Sequence, residues 1–157
     1  MRLLRLIAVL MFVASSAAAK AEQPRVYLFW GASCPHSQAA RTFLLKQREL
    51  NPDMQIAELE TEGNIVHAIV LAKLYEKIGL PGVTAIPTIV IGTNITIGYT
   101  DDATTGRELL ETWAICRKDA CPDMIQRLLD ELKEPEQVRL FDRALVCRTV
   151  SELRKLP

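Results

Sequence analysis

The sequence predicts an α/β fold: a four-stranded mixed sheet with flanking helices and a C-terminal helical extension. Three observations carry this. Apolar strand-like runs alternate with segments of helical period over most of the chain. A proline follows the first run at the place where a helix would begin. Gly92-Thr93-Asn94 then separates two short β-prone runs as a tight turn would. Two parallel strands joined by a helix, followed by a hairpin, give a small sheet covered on both faces.

The elements follow in order. Arg25 to Trp30 (RVYLFW) is aromatic and β-branched and reads as a buried strand. After Gly31-Ala32 and Ser33, Cys34 takes the N-cap position and Pro35 the first helical position, where its missing N–H is no loss. The helix is expected to run to about Leu50, where Asn51-Pro52 stops it. Met54 to Glu60 (MQIAELE) alternates apolar and polar residues as a second strand. Asn64 caps a helix through Ile78, with Ile65, Ala68, Ile69, Ala72 and Tyr75 as its inner face and Gly79 just past its end. Thr88 to Ile91 is the third strand and Ile95 to Tyr99 the fourth. Asp101, Asp102, Thr104 and Thr105 offer caps to a helix carrying Leu109, Leu110, Trp113 and Ala114. Beyond Cys121-Pro122 the period is helical again (Leu128, Leu129, Leu132, then Val138, Phe141, Leu145), with Pro135 between two helices.

Composition bounds the function. The 157 residues suffice for one domain, and 49% hydrophobic with 24% charged residues is a globular composition. Nineteen basic residues balance nineteen acidic ones, so the electrostatic footprint of a nucleic-acid binder is missing. At the start, Arg2 and Arg5 precede the apolar run Leu6 to Ala14, then Ser15-Ser16 and Ala17-Ala18-Ala19. This is the order of a secretory signal peptide, with Ala19 and Ala21 equally good cleavage points. The run is too short for a bilayer span, which needs about 20 residues. The domain plan is therefore a signal peptide at 1–21, a globular domain at 22–122 and the helical extension at 123–157. Secreted or periplasmic localisation follows, with no stable membrane insertion after cleavage.

Chemistry points to Cys34. The free N–H groups of a helix start stabilise an anion, so a cysteine there tends toward the nucleophilic thiolate. His36 can add charge when protonated, and Ser37, one turn on, can donate a hydrogen bond to the sulfur. Gly82-Val83-Thr84-Ala85-Ile86-Pro87-Thr88 leads into the third strand, and a proline at that place is tolerated. With Phe29-Trp30-Gly31-Ala32-Ser33-Cys34-Pro35-His36-Ser37 and this Ile86-Pro87 step some fifty residues later, the chain resembles the thioredoxin superfamily over roughly residues 24–121. The stretch from Gly98 through Cys116 and Cys121-Pro122-Asp123 is similar to small secreted bacterial thioredoxin- or glutaredoxin-like proteins. The resemblance implies a thioredoxin-like fold, a cis proline at Pro87 beside the reactive cysteine, and backbone bonds from Ile86 to an extended substrate. It implies thiol-disulfide exchange with cysteine-containing proteins or glutathione, no bound cofactor, and glutathione at most as co-substrate.

Two departures matter. The family's second motif thiol is replaced by Ser37, and the buried acid six residues before the nucleophile is replaced by Leu28. Serine cannot resolve a mixed disulfide, so Cys34 is expected to act as a monothiol, released by an outside thiol or by another cysteine. A redox-inactive binding or scaffold module is the alternative. A weaker third reading, an iron–sulfur carrier like monothiol glutaredoxins, is opposed by Pro35 and by the export signal.

The other cysteines pose a structural question. In a continuous helix the Cα atoms of Cys116 and Cys121 would lie roughly 8–9 Å apart, beyond disulfide reach. A bond requires the helix to end between them, at about Lys118-Asp119. A structural disulfide is the main expectation and a second redox-active pair the alternative. A zinc site lacks ligands. Cys147 is left as a buried apolar residue, an intermolecular bridge or a remote resolving thiol for Cys34. His67 is expected in solvent, Trp30 beside Cys34 and Trp113 in the core.

Overall fold

The structure is a computed structural model and describes residues 23–132. The segment 1–21 expected as a signal peptide, Pro135 and the later part of the expected extension, and Cys147 lie outside the described residues. The order of elements is β1 (Arg25–Trp30), α1 (Pro35–Leu50), β2 (Gln55–Glu60), α2 (Ile65–Lys77), β3 (Thr88–Ile91), β4 (Asn94–Ile97), one π-helical turn (Asp102–Gly106), α3 (Arg107–Asp119) and α4 (Met124–Leu132).

The strands form one mixed sheet in the order β2-β1-β3-β4. β1 and β2 are parallel, joined by the α1 crossover, while β3 runs antiparallel to β1 and β4 antiparallel to β3. The central strands are apolar without interruption because both their faces are covered: residues 26–29 of β1 and all of β3 are buried.

Alternation along the strands splits the interior in two. Val26, Leu28, Ile89 and Ile91 face α1 and α3, where they meet Ala40, Phe43, Leu44, Leu109, Trp113 and Cys116. Tyr27, Phe29 and Val90 face α2 and α4, meeting Val70, Leu71, Leu74, Tyr75, Ile125 and Leu128. Residues from 123 onward thus begin with a helix that completes the second layer. Asp123 accepts a hydrogen bond from the Tyr27 hydroxyl at 2.8 Å, and the Met124 N–H donates to Gly92 O at 3.1 Å.

Several expectations are corrected at this level. β2 starts at Gln55, because Met54 donates its N–H to Asn51 O in the preceding turn and is itself buried. β4 ends at Ile97 and does not reach Tyr99. Gly98 has φ +86°, which turns the chain out of the ladder, and Tyr99 folds into the first core beside Phe43. The inner face of α2 is Val70, Leu71, Leu74 and Tyr75, while Ile65 is 58% exposed. That helix is apolar on nearly every side, so more than one stripe fits the period and packing selects among them. In α3, Leu109, Trp113 and Cys116 are buried, Leu110 is half-buried and Ala114 is exposed.

Candidate active site at the start of the first helix

β1 delivers the chain to Gly31 at the edge of the first core. A Cβ there would lie 2.5 Å from both Glu62 Oε1 and Ile86 Cδ1, so glycine lets these two side-chain ends come close to the backbone. The Cys34 N–H donates to Gly31 O at 3.2 Å and closes the turn into α1. Cys34 is the N-cap residue, with extended backbone (φ −92°, ψ 115°), and Pro35 follows at the first helical position. Gln38 N–H donates to Cys34 O at 3.1 Å as the first helical bond, and the Gln38 side chain ties Ala32 O at 2.6 Å. The cysteine is free and partly exposed.

The pKa of the Cys34 thiol is held below its ordinary value. The largest cause is the Ser37 hydroxyl, followed by the Ser37 N–H, with a smaller part from the His36 N–H. Partial desolvation and the Glu62 carboxylate work in the other direction. Ser37 is fully buried, and its Oγ has no partner among the neutral groups around it. A buried hydroxyl without a partner is costly unless something takes its proton. Cys34 is the group whose pKa this hydroxyl lowers most, so the thiolate is the form it favours. His36 contributes through its backbone, because its ring is turned away, with Nδ1 3.0 Å from Tyr99 O.

On the other side of the sulfur is the loop before β3. Cys34 Sγ is 3.8 Å from Ile86 O, and the Ile86-Pro87 peptide is cis. Behind the loop, the buried Thr88 hydroxyl donates to Ala85 O at 2.7 Å and meets the Tyr75 hydroxyl at 3.0 Å. This anchors Ala85-Ile86-Pro87 to α2. The structure therefore brings together Cys34, Pro35, His36, Ser37, Ile86 and Pro87. Sequence reasoning missed Glu62, Gly31, Thr88 and Tyr75. Leu28 is fully buried among apolar side chains, and the carboxylate beside the turn to Cys34 is the exposed Glu62, from the β2–α2 loop.

The second pair of cysteines is bonded. Cys116 and Cys121 are joined at 2.09 Å with Cα atoms 4.8 Å apart. The helix ends at Asp119, where the break was expected, and Ala120 takes the left-handed conformation (φ 51°) that folds the chain back. Gly92 packs on this bridge: with φ +63°, its absent Cβ would sit 2.5 Å from Cys121 Cβ and 3.0 Å from Cys116 Sγ.

The expectation for His67 changes. His67 is half-buried, not in solvent: its Nδ1 lies 2.8 Å from Glu60 O and its Nε2 3.4 Å from the Asn64 amide. Asn64 caps α2 as expected, accepting from Val66 N and His67 N at 3.0 and 3.3 Å. Trp30 packs against the first core with the Arg41 guanidinium 4.7 Å over its ring, and Arg41 also pairs with Glu58. Trp113 is in the core as expected.

No family model matches the sequence, and no curated protein matches it. Solved structures do resemble it. One comes from work on thiol resolution in a yeast mitochondrial 1-Cys peroxiredoxin through the glutathione and thioredoxin systems. It is 18% identical, with 59% of this chain and 81% of that chain covered and a TM-score of 0.41. A thioredoxin from Arabidopsis thaliana in its oxidised state is 18% identical over 59% of this chain and 76% of that one, with a TM-score of 0.41. A glutaredoxin from Archaeoglobus fulgidus is 20% identical over 55% of this chain and 86% of that one, with a TM-score of 0.39. The topology of this chain is the four-stranded mixed sheet expected from the sequence: a parallel β1–α1–β2 unit, then an antiparallel β3–β4 hairpin added beside β1, with helices on both faces.

Proposed function

We propose that the protein is a monothiol thiol-disulfide oxidoreductase that works outside the cytoplasm on protein or glutathione mixed disulfides, with Cys34 as nucleophile. The observation that carries this is the free, partly exposed Cys34 at the N-cap of α1, followed by Pro35 at the first helical position, with its Sγ 3.8 Å from Ile86 O. The Cys34 thiolate attacks one sulfur of a substrate disulfide. A new S–S bond forms to Cys34, and the other sulfur leaves as a thiolate that takes a proton from water. Cys34 is thereby oxidised and the departing half reduced. Ser37 cannot attack in turn, so a low-molecular-weight thiol such as glutathione attacks the substrate sulfur of the mixed disulfide, leaves bonded to it and releases the Cys34 thiolate; if Cys147 attacks the Cys34 sulfur instead, the substrate half leaves as a thiol and the resulting Cys34–Cys147 disulfide is reduced by two equivalents of such a thiol. Ile86 O and the neighbouring backbone offer hydrogen bonds to an extended substrate chain. Work outside the cytoplasm is supported by the signal-like segment at 1–21 and by the Cys116–Cys121 bridge, since such bonds persist in oxidising compartments.

A second reading is favoured by Ser37 and Leu28, which remove the resolving thiol and the buried acid: a redox-inactive thioredoxin-fold binding module. Alkylation of Cys34 in the reduced protein against pH separates the two, with modified peptides read by mass. Exchange predicts a midpoint below the ~8.5 of a free cysteine. A midpoint at or above that value, with partner capture that survives Cys34→Ser, overturns exchange and leaves the binding module.

A further inference from the structure

Among the described residues, the charged side chain that acts on Cys34 is an anion. The groups that lower the Cys34 pKa are a hydroxyl and two backbone N–H groups, and none of these carries a positive charge. The fixed charge beside the site is the Glu62 carboxylate. It accepts from the Ser33 N–H at 2.9 Å and from the Ser33 hydroxyl, which aims it at the turn leading to Cys34. These two bonds also hold it well within its ionised range. Gly31 is the point on which everything closes. Its missing Cβ leaves room for Glu62 Oε1 and Ile86 Cδ1, and its carbonyl receives the Cys34 N–H, while Sγ is 3.8 Å from Ile86 O. A chain bonded to the Ile86 backbone would thus run beside an exposed carboxylate. Arg41 does not offset that charge, being engaged with Glu58 and the Trp30 ring.

We propose that Glu62 is a specificity-determining residue that selects disulfides flanked by cationic side chains, as in basic polypeptide segments, and disfavours anionic disulfides such as that of glutathione. This rests on the exchange reading above and narrows its substrate class. The carboxylate takes no part in bond making. It changes the local concentration and approach of charged disulfides to the Cys34 sulfur.

The test is the rate of mixed-disulfide formation at Cys34 in the reduced full-length protein at pH 7. Three small disulfides are used: cystamine (dication), bis(2-hydroxyethyl) disulfide (neutral) and 3,3′-dithiodipropionate (dianion). The readout is the ratio of the cystamine to the dithiodipropionate rate constant. In a ratio, the thiolate fraction and intrinsic nucleophilicity of Cys34 cancel. Glu62→Gln, which keeps an acceptor for Ser33, should lower this ratio by about three- to tenfold, as expected for one exposed charge a few ångströms from the path. Added salt should shrink the wild-type ratio toward the variant's. An equal ratio in the two proteins overturns the assignment of Glu62 while leaving exchange intact, provided the neutral disulfide reacts. If the neutral disulfide reacts no faster than with a free cysteine, the exchange reading fails, and the specificity proposal falls with it.

Discussion

Cys34 stands just before α1 and Cys116 sits in the last turn of α3, so the two cysteines occupy opposite ends of two helices on the same face of the sheet. At the first, unsatisfied N–H groups and a buried hydroxyl converge on a partly exposed sulfur and favour its anion. At the second, the sulfur is fully buried, carbonyls face the helix end, and the left-handed Ala120 brings Cys121 back to close a bond. Residue type is the same; the helix end and the neighbours decide. The comparison assigns reactivity to one end and cohesion to the other, and it can be broken if a change at one end moves the property of the other.

The largest effect is expected at Gly92. Alanine there would need a left-handed backbone and a Cβ pressed against Cys121. Left-handed strain and overpacking together should cost about 2–5 kcal/mol in urea unfolding. Cys34 alkylation at pH 7 should keep its rate in the fraction that stays folded. Removing the bridge comes next. The Cys116→Ser, Cys121→Ser double variant frees only a short loop, so the expected loss is about 2 kcal/mol. Cys34→Ser, by contrast, should move stability by no more than about 0.5 kcal/mol. Disulfide exchange that disappears in the double variant, with Cys34 alkylation unchanged, would show that the bridge is a redox partner and erase the division of roles.

These two ends were not equally legible in the sequence. Cys34 was, because the features that place it are local: an apolar strand, then Cys-Pro at a helix start. The same locality made the bounds of β1, α1 and β3 readable. The bridge was legible as a requirement that the helix break before Cys121, and the helix does. Glu62 was not, because it lies 28 positions from Cys34 in a loop without a motif, and only the folded β2–α2 loop brings it to Gly31. β4 was read too long because Gly98-Tyr99 looks β-prone, whereas the positive φ of Gly98 belongs to the turn. The α2 face failed for a different reason: a helix apolar all round has no single stripe to read.

Ser37→Ala sharpens the reactive side. It removes the first cause of the lowered Cys34 pKa, so the alkylation midpoint should move up and the rate at pH 7 should fall a few-fold. In the reduced protein below that midpoint it also deletes a buried hydroxyl with no partner, so stability should stay level or rise by up to about 1 kcal/mol. Reactivity and stability are expected to move in opposite directions. A purely structural serine would lose stability on truncation and leave the alkylation profile where it was.

The smallest effect tests whether the cohesive side extends past the bridge. Tyr27, on β1, donates its hydroxyl to Asp123, two residues after Cys121, and so fastens the bridge's exit to the central strand. Burial, then the hydrogen bond and charge of Asp123, push its phenol from the ordinary 10.0 up to about 12. The folded state therefore prefers the neutral phenol. Its contribution is complete below pH 10 and is lost as pH rises from there toward 12, because the unfolded chain releases that proton first. Tyr27→Phe should remove this part of the alkaline decline in unfolding free energy and lower stability at pH 7 by about 1 kcal/mol through the lost hydrogen bond. Part of the decline should survive in the variant. Tyr99, raised by burial and by its bond to Asp102, titrates in the same direction beside the reactive end. A decline left whole by Tyr27→Phe would mean that the alkaline sensitivity belongs to the Cys34 end, where Tyr99 O holds the His36 ring, and not to the bridge.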